Sequence, residues 1–331
     1  MKKRNINFRA FSYVEMSVVI IIVGIMISGV TSGIRLYEES KLKGARTLTE
    51  NSVVNSMEGL VLWYETSLKK SFSKADAVDQ RRVSQWNDIN PQGPGLHARA
   101  GQNTDNTQNT YNYVSSSGNT SGPTYVEDGI NHIPTLSFKQ NSMSNFEYLV
   151  TDSRMANNPN DSMTMFLVIS HNSGFGTPIN RSCYDGVGSS SCTAIGKDGI
   201  FYPKIHPDGS LNILVEKDDG SDFPSCSYCD SGYDMLPGKS YIITMQRDYG
   251  VSFLTYINGS SSYSPDSTSV DDGSSLTMSP FKIGRYDNGI FSSNNFDMSE
   301  FIFFSGAITK KEREAVEEYL GKKYNIPISH Q

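Results

Sequence analysis

Between Phe11 and Ile34 the chain carries an apolar run interrupted by a single charge, Glu15. About 20 predominantly apolar residues cross the hydrocarbon of a bilayer as a helix, so the run is long enough to be a membrane span. A carboxylate at the centre of such a helix costs at least about 2.5–3.5 kcal/mol. Glu15 therefore needs a partner, and no other residue from Phe11 to Ile34 is charged. Cleavage after Ala10 would expose an α-amine on Phe11, and the amine of a neighbouring copy could meet the carboxylate. A secretory signal would have a shorter apolar core followed by a small-x-small cleavage site. A plain signal anchor, with Lys2, Lys3, Arg4 and Arg9 kept cytoplasmic, accounts for the length but not for Glu15. Gly29 and Gly33 add a small-xxx-small spacing suited to close helix approach.

This amino terminus, Arg9-Ala10-Phe11-Ser12-Tyr13-Val14-Glu15-Met16, resembles that of type IV pilins and pseudopilins. Those chains have a short basic leader, a cut before a Phe, and a Glu at the fifth place from that Phe. The resemblance implies cleavage between Ala10 and Phe11 and amino-methylation of Phe11 by a prepilin peptidase. Packing of the helix among other pilin-like subunits would follow, with Glu15 pairing to an amine. Two features depart from the pattern: Ala10 stands where a Gly is usual, and the helix holds no Pro. The implied organisation is a leader at 1–10, a long helix at 11–58 with 11–34 in the membrane, and a separate domain at 59–331. The chain would be single-pass in the inner membrane with its domain exported, then part of a surface filament or a periplasmic pseudopilus.

Composition restricts the domain. The formal charge of −6 would become more negative on loss of the basic leader, so nucleic acid is not an expected partner. A hydrophobic content of 37% with abundant Gly, Ser, Asn and Tyr suits an exported, loop-rich β domain. The four cysteines, Cys183, Cys192, Cys226 and Cys229, read as two disulfides in such a compartment. Three connectivities are open, of which Cys183–Cys192 with Cys226–Cys229 is the local one. A four-thiolate zinc site is the alternative, since Cys-x-x-Cys supplies half of one. No other cofactor is expected, except that Asp218, Asp219 and Asp222 could offer oxygen ligands to calcium.

Beyond Ile34, Leu36, Leu42, Ala45, Leu48, Val53 and Met57 recur at roughly helical spacing among charges, which predicts an amphipathic continuation ending near Met57–Gly59. Short β-branched and aromatic runs follow. They predict strands over 60–64, 135–138, 163–170, 200–205, 211–215, 241–247, 251–257, 280–284 and 301–305. Pro207-Asp208-Gly209 and Asp248-Tyr249-Gly250 supply hairpin turns. At the end, Thr309-Lys310-Lys311-Glu312 reads as a capping box opening a short helix, with Pro327 beyond it as a stop. The fold class is mainly β, a sandwich between a long amino-terminal helix and a short carboxy-terminal one. Trp63 and Trp86 read as core.

A second resemblance covers most of 59–326. Leu60-Val61-Leu62-Trp63, Val83-Ser84-Gln85-Trp86-Asn87-Asp88, Pro134-Thr135-Leu136-Ser137-Phe138 and Asp297-Met298-Ser299-Glu300-Phe301-Ile302-Phe303-Phe304 are similar to the strands of concanavalin A-like, laminin-G-type jelly rolls. Such domains bind glycans, bind proteins or fill space, so the resemblance implies a fold before a function.

Catalysis is not expected. A glycosidase needs two carboxylates about 5–5.5 Å apart for retention, and no Glu-x-Asp-x-Glu alternation is present. Asp297 and Glu300, three apart, are expected on opposite faces of a strand. The five histidines show no paired metal spacing. Tyr111, Tyr113 and Tyr125, in or beside a polar loop, are candidates for stacking on sugar rings. The reading is thus a minor or tip pilin-like subunit displaying a sandwich that binds a glycan or protein. A structural filament subunit, a signal-anchored surface lectin and a surface glycoside hydrolase are the alternatives. Two disulfides predict no titratable thiol in unfolded, unreduced protein taken from its native envelope; four thiols would restore the zinc reading.

Overall fold

The computed structural model describes residues 13–93, 95–100, 122–139, 147–151, 162–171, 192–193, 195–196, 202–205, 210–216, 222–223, 230–261, 282–284 and 295–330; within 192–234 the description is of backbone. Tyr13–Glu50 is one continuous α-helix. Its Val18–Val23 stretch is entirely β-branched, a composition that crowds χ1 in a helix. In hydrocarbon, however, only a helix or a closed barrel satisfies its own backbone. Two hydroxyls are neutralised in the same way, Ser17 Oγ donating to Tyr13 O at 2.8 Å and Thr31 Oγ1 to Ile27 O at 2.9 Å. An apolar window of mean hydropathy 2.3 near the amino terminus is wholly unburied, and by length and composition this helix could cross a membrane.

The last turns of the helix are different. Ala45 and Thr49 are buried, and Ala45 joins a core shared with the domain. The Asn55 side-chain amide closes the helix end by donating to Thr49 O, Glu50 O and Ser52 O at 3.0–3.2 Å. It thus occupies carbonyls that the end of a helix leaves without partners. A single 3₁₀ turn, Val53–Ser56, leads out to the first strand, Leu60–Glu65.

All strand pairings among the described residues are antiparallel. The main sheet runs in the order 260–261, 252–257, 240–248, 163–171, 295–304, 135–139, 124–126. Asn295–Phe304 is its pivot. One edge of this strand pairs along Met163–His171, while the other pairs first with Thr135–Lys139 and then with Leu60–Glu65. A second sheet, of strands 85–86, 98–100, 149–150, 282–283 and 195–196, forms the opposing layer. A third carries strands 192–193, 202–205, 210–216, 222–223 and 230–234. The sandwich and both helices expected from the sequence are present. Missed are mainly strands of two or three residues such as Gln85–Trp86, Ala98–Ala100 and Leu149–Val150, too short to show a period.

Both faces of the main sheet are buried. Leu62, Tyr64, Met165, Leu167, Ile243, Phe301 and Phe303 cluster with Trp86, Ala98, Leu149 and Ile283 between the sheets. Trp63, Phe166, Val168, Ile242, Ile302 and Phe304 cluster instead with Val54, Val316, Leu320 and Tyr324 under the helices. Two-sided cover explains why Met163–Ser170 is buried almost throughout, rather than alternating as a half-solvated antiparallel strand would. At Asp248-Tyr249-Gly250, Gly250 takes the left-handed φ of +69° that the predicted hairpin requires.

The pivot strand contains a correction. Register slips between Met298 and Glu300, where Met298 faces Ile169 and Glu300 faces Val168. Ser299 is the extra residue of a bulge. Phe296 and Met298 stay in the inter-sheet core with Phe301 and Phe303, so Asp297 and Glu300 share the outer face instead of opposing one another.

The carboxy-terminal helix, Lys310–Tyr324, begins with the expected capping box: Glu312 N–H donates to Thr309 Oγ1 at 3.3 Å and Thr309 N–H to Glu312 Oε2 at 2.8 Å. Asn325 ends it in the left-handed conformation, with Ile326 N–H donating to Gly321 O at 3.0 Å. Chain folding back over the helix forces glycine at 321, where a Cβ would lie 2.5 Å from Ile328 Cγ1 and 2.9 Å from Ile326 O. Gly321→Ala is expected to cost about 1–3 kcal/mol by overpacking, read as a lowered denaturation midpoint. Gly306→Ala, where a Cβ meets nothing within 4 Å, is the matched control and should cost far less.

Candidate functional site

Glu65 and Glu300 are directly opposed on neighbouring strands, an arrangement that is unfavourable for like charges. Both are buried, as is Lys323 from the carboxy-terminal helix, whose Nζ lies 3.0 Å from Glu65 Oε2 and 2.8 Å from Glu300 Oε2. Glu300 also accepts from Trp63 Nε1–H at 2.7 Å, Tyr319 O–H at 2.8 Å and Tyr324 O–H at 2.9 Å. Burial alone would raise the Glu65 carboxyl, but Lys323 and donors from Ser67, Ser71 and Leu68 hold it below the usual carboxylate range. Burial would lower the Lys323 ammonium; Glu300 and Glu65 raise it above the usual lysine value instead. Burial and the neighbouring Glu300 lift the phenols of Tyr319 and Tyr324 well above their ordinary range.

The loop after the first strand is folded around one carboxylate. Glu65 Oε2 accepts from Ser67 N–H at 2.7 Å and Oε1 from Leu68 N–H at 2.7 Å, while Ser67 Oγ and Ser71 Oγ also donate to it. This wrapping turns Lys69 and Lys70 outward, both exposed. Across from them stands the end of the long helix, where Arg46 Nε donates to Ser67 O at 2.7 Å. Thr49 Oγ1 shares a 3.2 Å hydrogen bond with the Tyr319 hydroxyl. Between helix and loop is a cavity of about 580 Å³. Trp63, Leu68 and Ile89 line it with apolar surface, and Arg46, Lys69, Lys70, Glu50, Thr49 and Asn55 supply polar groups.

The residues singled out from sequence fall variously. Ala10, Phe11, Tyr111, Tyr113, Cys183, Asp218, Asp219, Cys226 and Cys229 lie outside the described residues. Glu15 is exposed in the first turn of the long helix. Cys192 and Asp222 begin the short strands Cys192–Thr193 and Asp222–Phe223, described as backbone. Tyr125 is corrected from a stacking residue to a core one. Its ring is 8% exposed and packs edge-on to Phe72 at 5.5 Å, and burial, with Glu127 next, pushes its phenol up to about 12. Trp63 and Trp86 are core as expected.

Sequence spacing also missed a cluster formed by tertiary contact. Glu38 of the long helix meets Asp128 and His132 with ligand atoms mutually within 4.8 Å, and His132 Nδ1 is 2.8 Å from Asp128 Oδ1. Three residues from two distant segments leave no local pattern. The cavity was equally hidden, because its cations come from positions 46 and 69–70.

No protein-family model matches the chain, and no curated protein matches it. Among solved structures it is similar to the binding domain of Paraclostridial Mosquitocidal Protein 1, with TM-score 0.49 and 12% identity, over 78% of this chain and 52% of that one. It is also similar to the receptor binding domain of botulinum neurotoxin D, with TM-score 0.42 and 13% identity, over 78% and 52%. A Trypanosoma rangeli sialidase gives TM-score 0.42 and 10% identity, over 83% and 34%. The chain thus spans about half the length of the first two and a third of the last. Likenesses of this degree assign no function.

Breaking a buried ion pair from one side costs about 3–5 kcal/mol, so Lys323→Met should lower the unfolding free energy of the full chain in detergent by that amount at pH 7. The depressed Glu65 carboxyl contributes stability that is present above the ordinary carboxylate range and lost as pH falls through its folded value. The raised Lys323 contributes stability that is present below the ordinary lysine range and lost as pH rises through its raised value. Without Lys323 the Glu65 carboxyl loses the largest of the influences that hold it down, so its neutral form is reached more easily. The deficit of Lys323→Met should therefore shrink toward pH 4, and an equal deficit at both pH values would contradict the neutralising role.

Proposed function

We propose that the chain is a pilin-like subunit: the apolar helix assembles with copies or homologues in the envelope, and the sandwich is the exported, ligand-binding part. The observation that carries this reading is the apolar stretch of helix, wholly unburied among the described residues, with Glu15 as the single charged residue of its sequence. A filament supplies such a segment with apolar neighbours along its length, and cleavage before Phe11 would bring an α-amine within reach of Glu15. The docked helix end, through Ala45, Arg46 and Thr49, supports it further, because an assembly helix must hold its cargo in a fixed place. Binding is preferred to catalysis. Among the described residues, the carboxylates that converge inside the sandwich, Glu65 and Glu300, are at most 1% exposed and are occupied by Lys323 and by hydroxyl and amide donors. They are out of reach of a glycosidic bond.

A signal-anchored surface lectin is the second reading, favoured by Ala10 where the resembling chains carry Gly. The intact mass of protein from its native membrane separates the two. An amino terminus at N-methylated Phe11 supports the filament reading, and one at Met1 supports the anchor. Glu15→Val should insert into the membrane as well as the parent chain but fail to enter filaments, or enter them out of register. Normal incorporation of this variant would remove charge pairing from the mechanism.

A further inference from the structure

We propose that the cavity between the long helix and the domain is a binding site for an acidic sugar, whose anionic group is held by Arg46, Lys69 and Lys70. The inference rests on reading the sandwich as a binding domain and is independent of filament assembly. Its first support is uncompensated charge. Arg46 uses Nε to reach Ser67 O, which fixes the plane of the guanidinium and leaves its terminal nitrogens with no hydrogen bond among the described residues. Lys69 makes no ion pair there, and Lys70 only a long 3.4 Å contact to Ile89 O. Glu50 shares the cavity but comes within salt-bridge distance of none of the three. Three cations gathered at one mouth repel one another, and an arginine fork held from behind is a preorganised receptor for a carboxylate, sulfate or phosphate.

Size and lining extend the argument from an ion to a sugar. A cavity of about 580 Å³ lies within the roughly 300–1,000 Å³ of small-molecule sites, and a bare inorganic anion would leave most of it empty. Half-buried Leu68, set over the buried Trp63 and Ile89, offers apolar surface to the carbon body of a ring, and exposed Glu50 offers acceptors to hydroxyls. The donors also come from two elements, Arg46 from the helix and the lysines from the loop wrapped on Glu65. An occupant would therefore tie the helix to the domain.

The test is calorimetric titration of the full chain, in a detergent without a sugar headgroup, with glucuronic acid, glucose and inorganic sulfate. Saturable binding of glucuronic acid is expected, at least tenfold tighter than glucose or sulfate and weakened by salt. Lys69→Gln/Lys70→Gln should lose at least tenfold, as should Arg46→Gln. The lysine pair is decisive if Arg46→Gln disturbs folding through Ser67, because the lysines brace little else. Equal binding of glucuronic acid and glucose overturns the proposal, as do sulfate binding as tight as the acid, no saturable binding, or unchanged affinity in the lysine variant. Glu15→Val should bind glucuronic acid as the parent does. Normal filament entry by Glu15→Val then counts against charge-paired assembly alone, and absence of glucuronic acid binding by the parent counts against the sugar site alone.

Discussion

One ammonium group makes the middle of this molecule possible. Glu65 and Glu300 occupy opposed positions on paired strands under a helix, and Lys323 is the cation that lies between them. Lys323 reaches that point only because the carboxy-terminal helix lies over the sheet, and the helix lies there because Val316, Leu320 and Tyr324 bury their side chains on it. Ionic pairing and apolar packing thus fix the same register. The consequences spread outward, since the Glu65 carboxylate also shapes the 66–71 loop and the loop in turn receives Arg46. The long helix is seated, at several removes, by a lysine near the other end of the chain.

Much of this architecture is legible in the residues. The apolar run announces a helix by length alone, Thr309 and Glu312 mark a helix start by spacing, and the long strands declare themselves through Val, Ile and Phe content. The two-sided burial of Met163–Ser170 is written in its nearly unbroken apolar sequence. These signals are local, and each depends on one segment.

What was hidden depends on two or more segments at once. The bulge at Ser299 adds one residue to a strand without any distinctive composition, yet it reverses the expected relation of Asp297 to Glu300. Nothing near Lys323 distinguishes it from Lys322, which is exposed on the same helix, and only the position of the sheet beneath decides between them. Tyr125 stands beside a polar loop in sequence while its ring goes to the core. The Glu38, Asp128 and His132 cluster and the cavity at the helix end are likewise products of docking, invisible until the helix has a place to rest.

The seating of the helix also bears on mechanics. A pull along the helix would reach the sheet by two routes. One is the backbone through Gly59 into Leu60–Glu65, which is laced to the pivot strand. The other is the side-chain bridge from Arg46 and Thr49 to Ser67 and Tyr319. Asn55 clamps the carbonyls between the two routes and keeps the junction from paying out as slack. Tension would be divided over the core of the domain instead of falling on a single linker peptide.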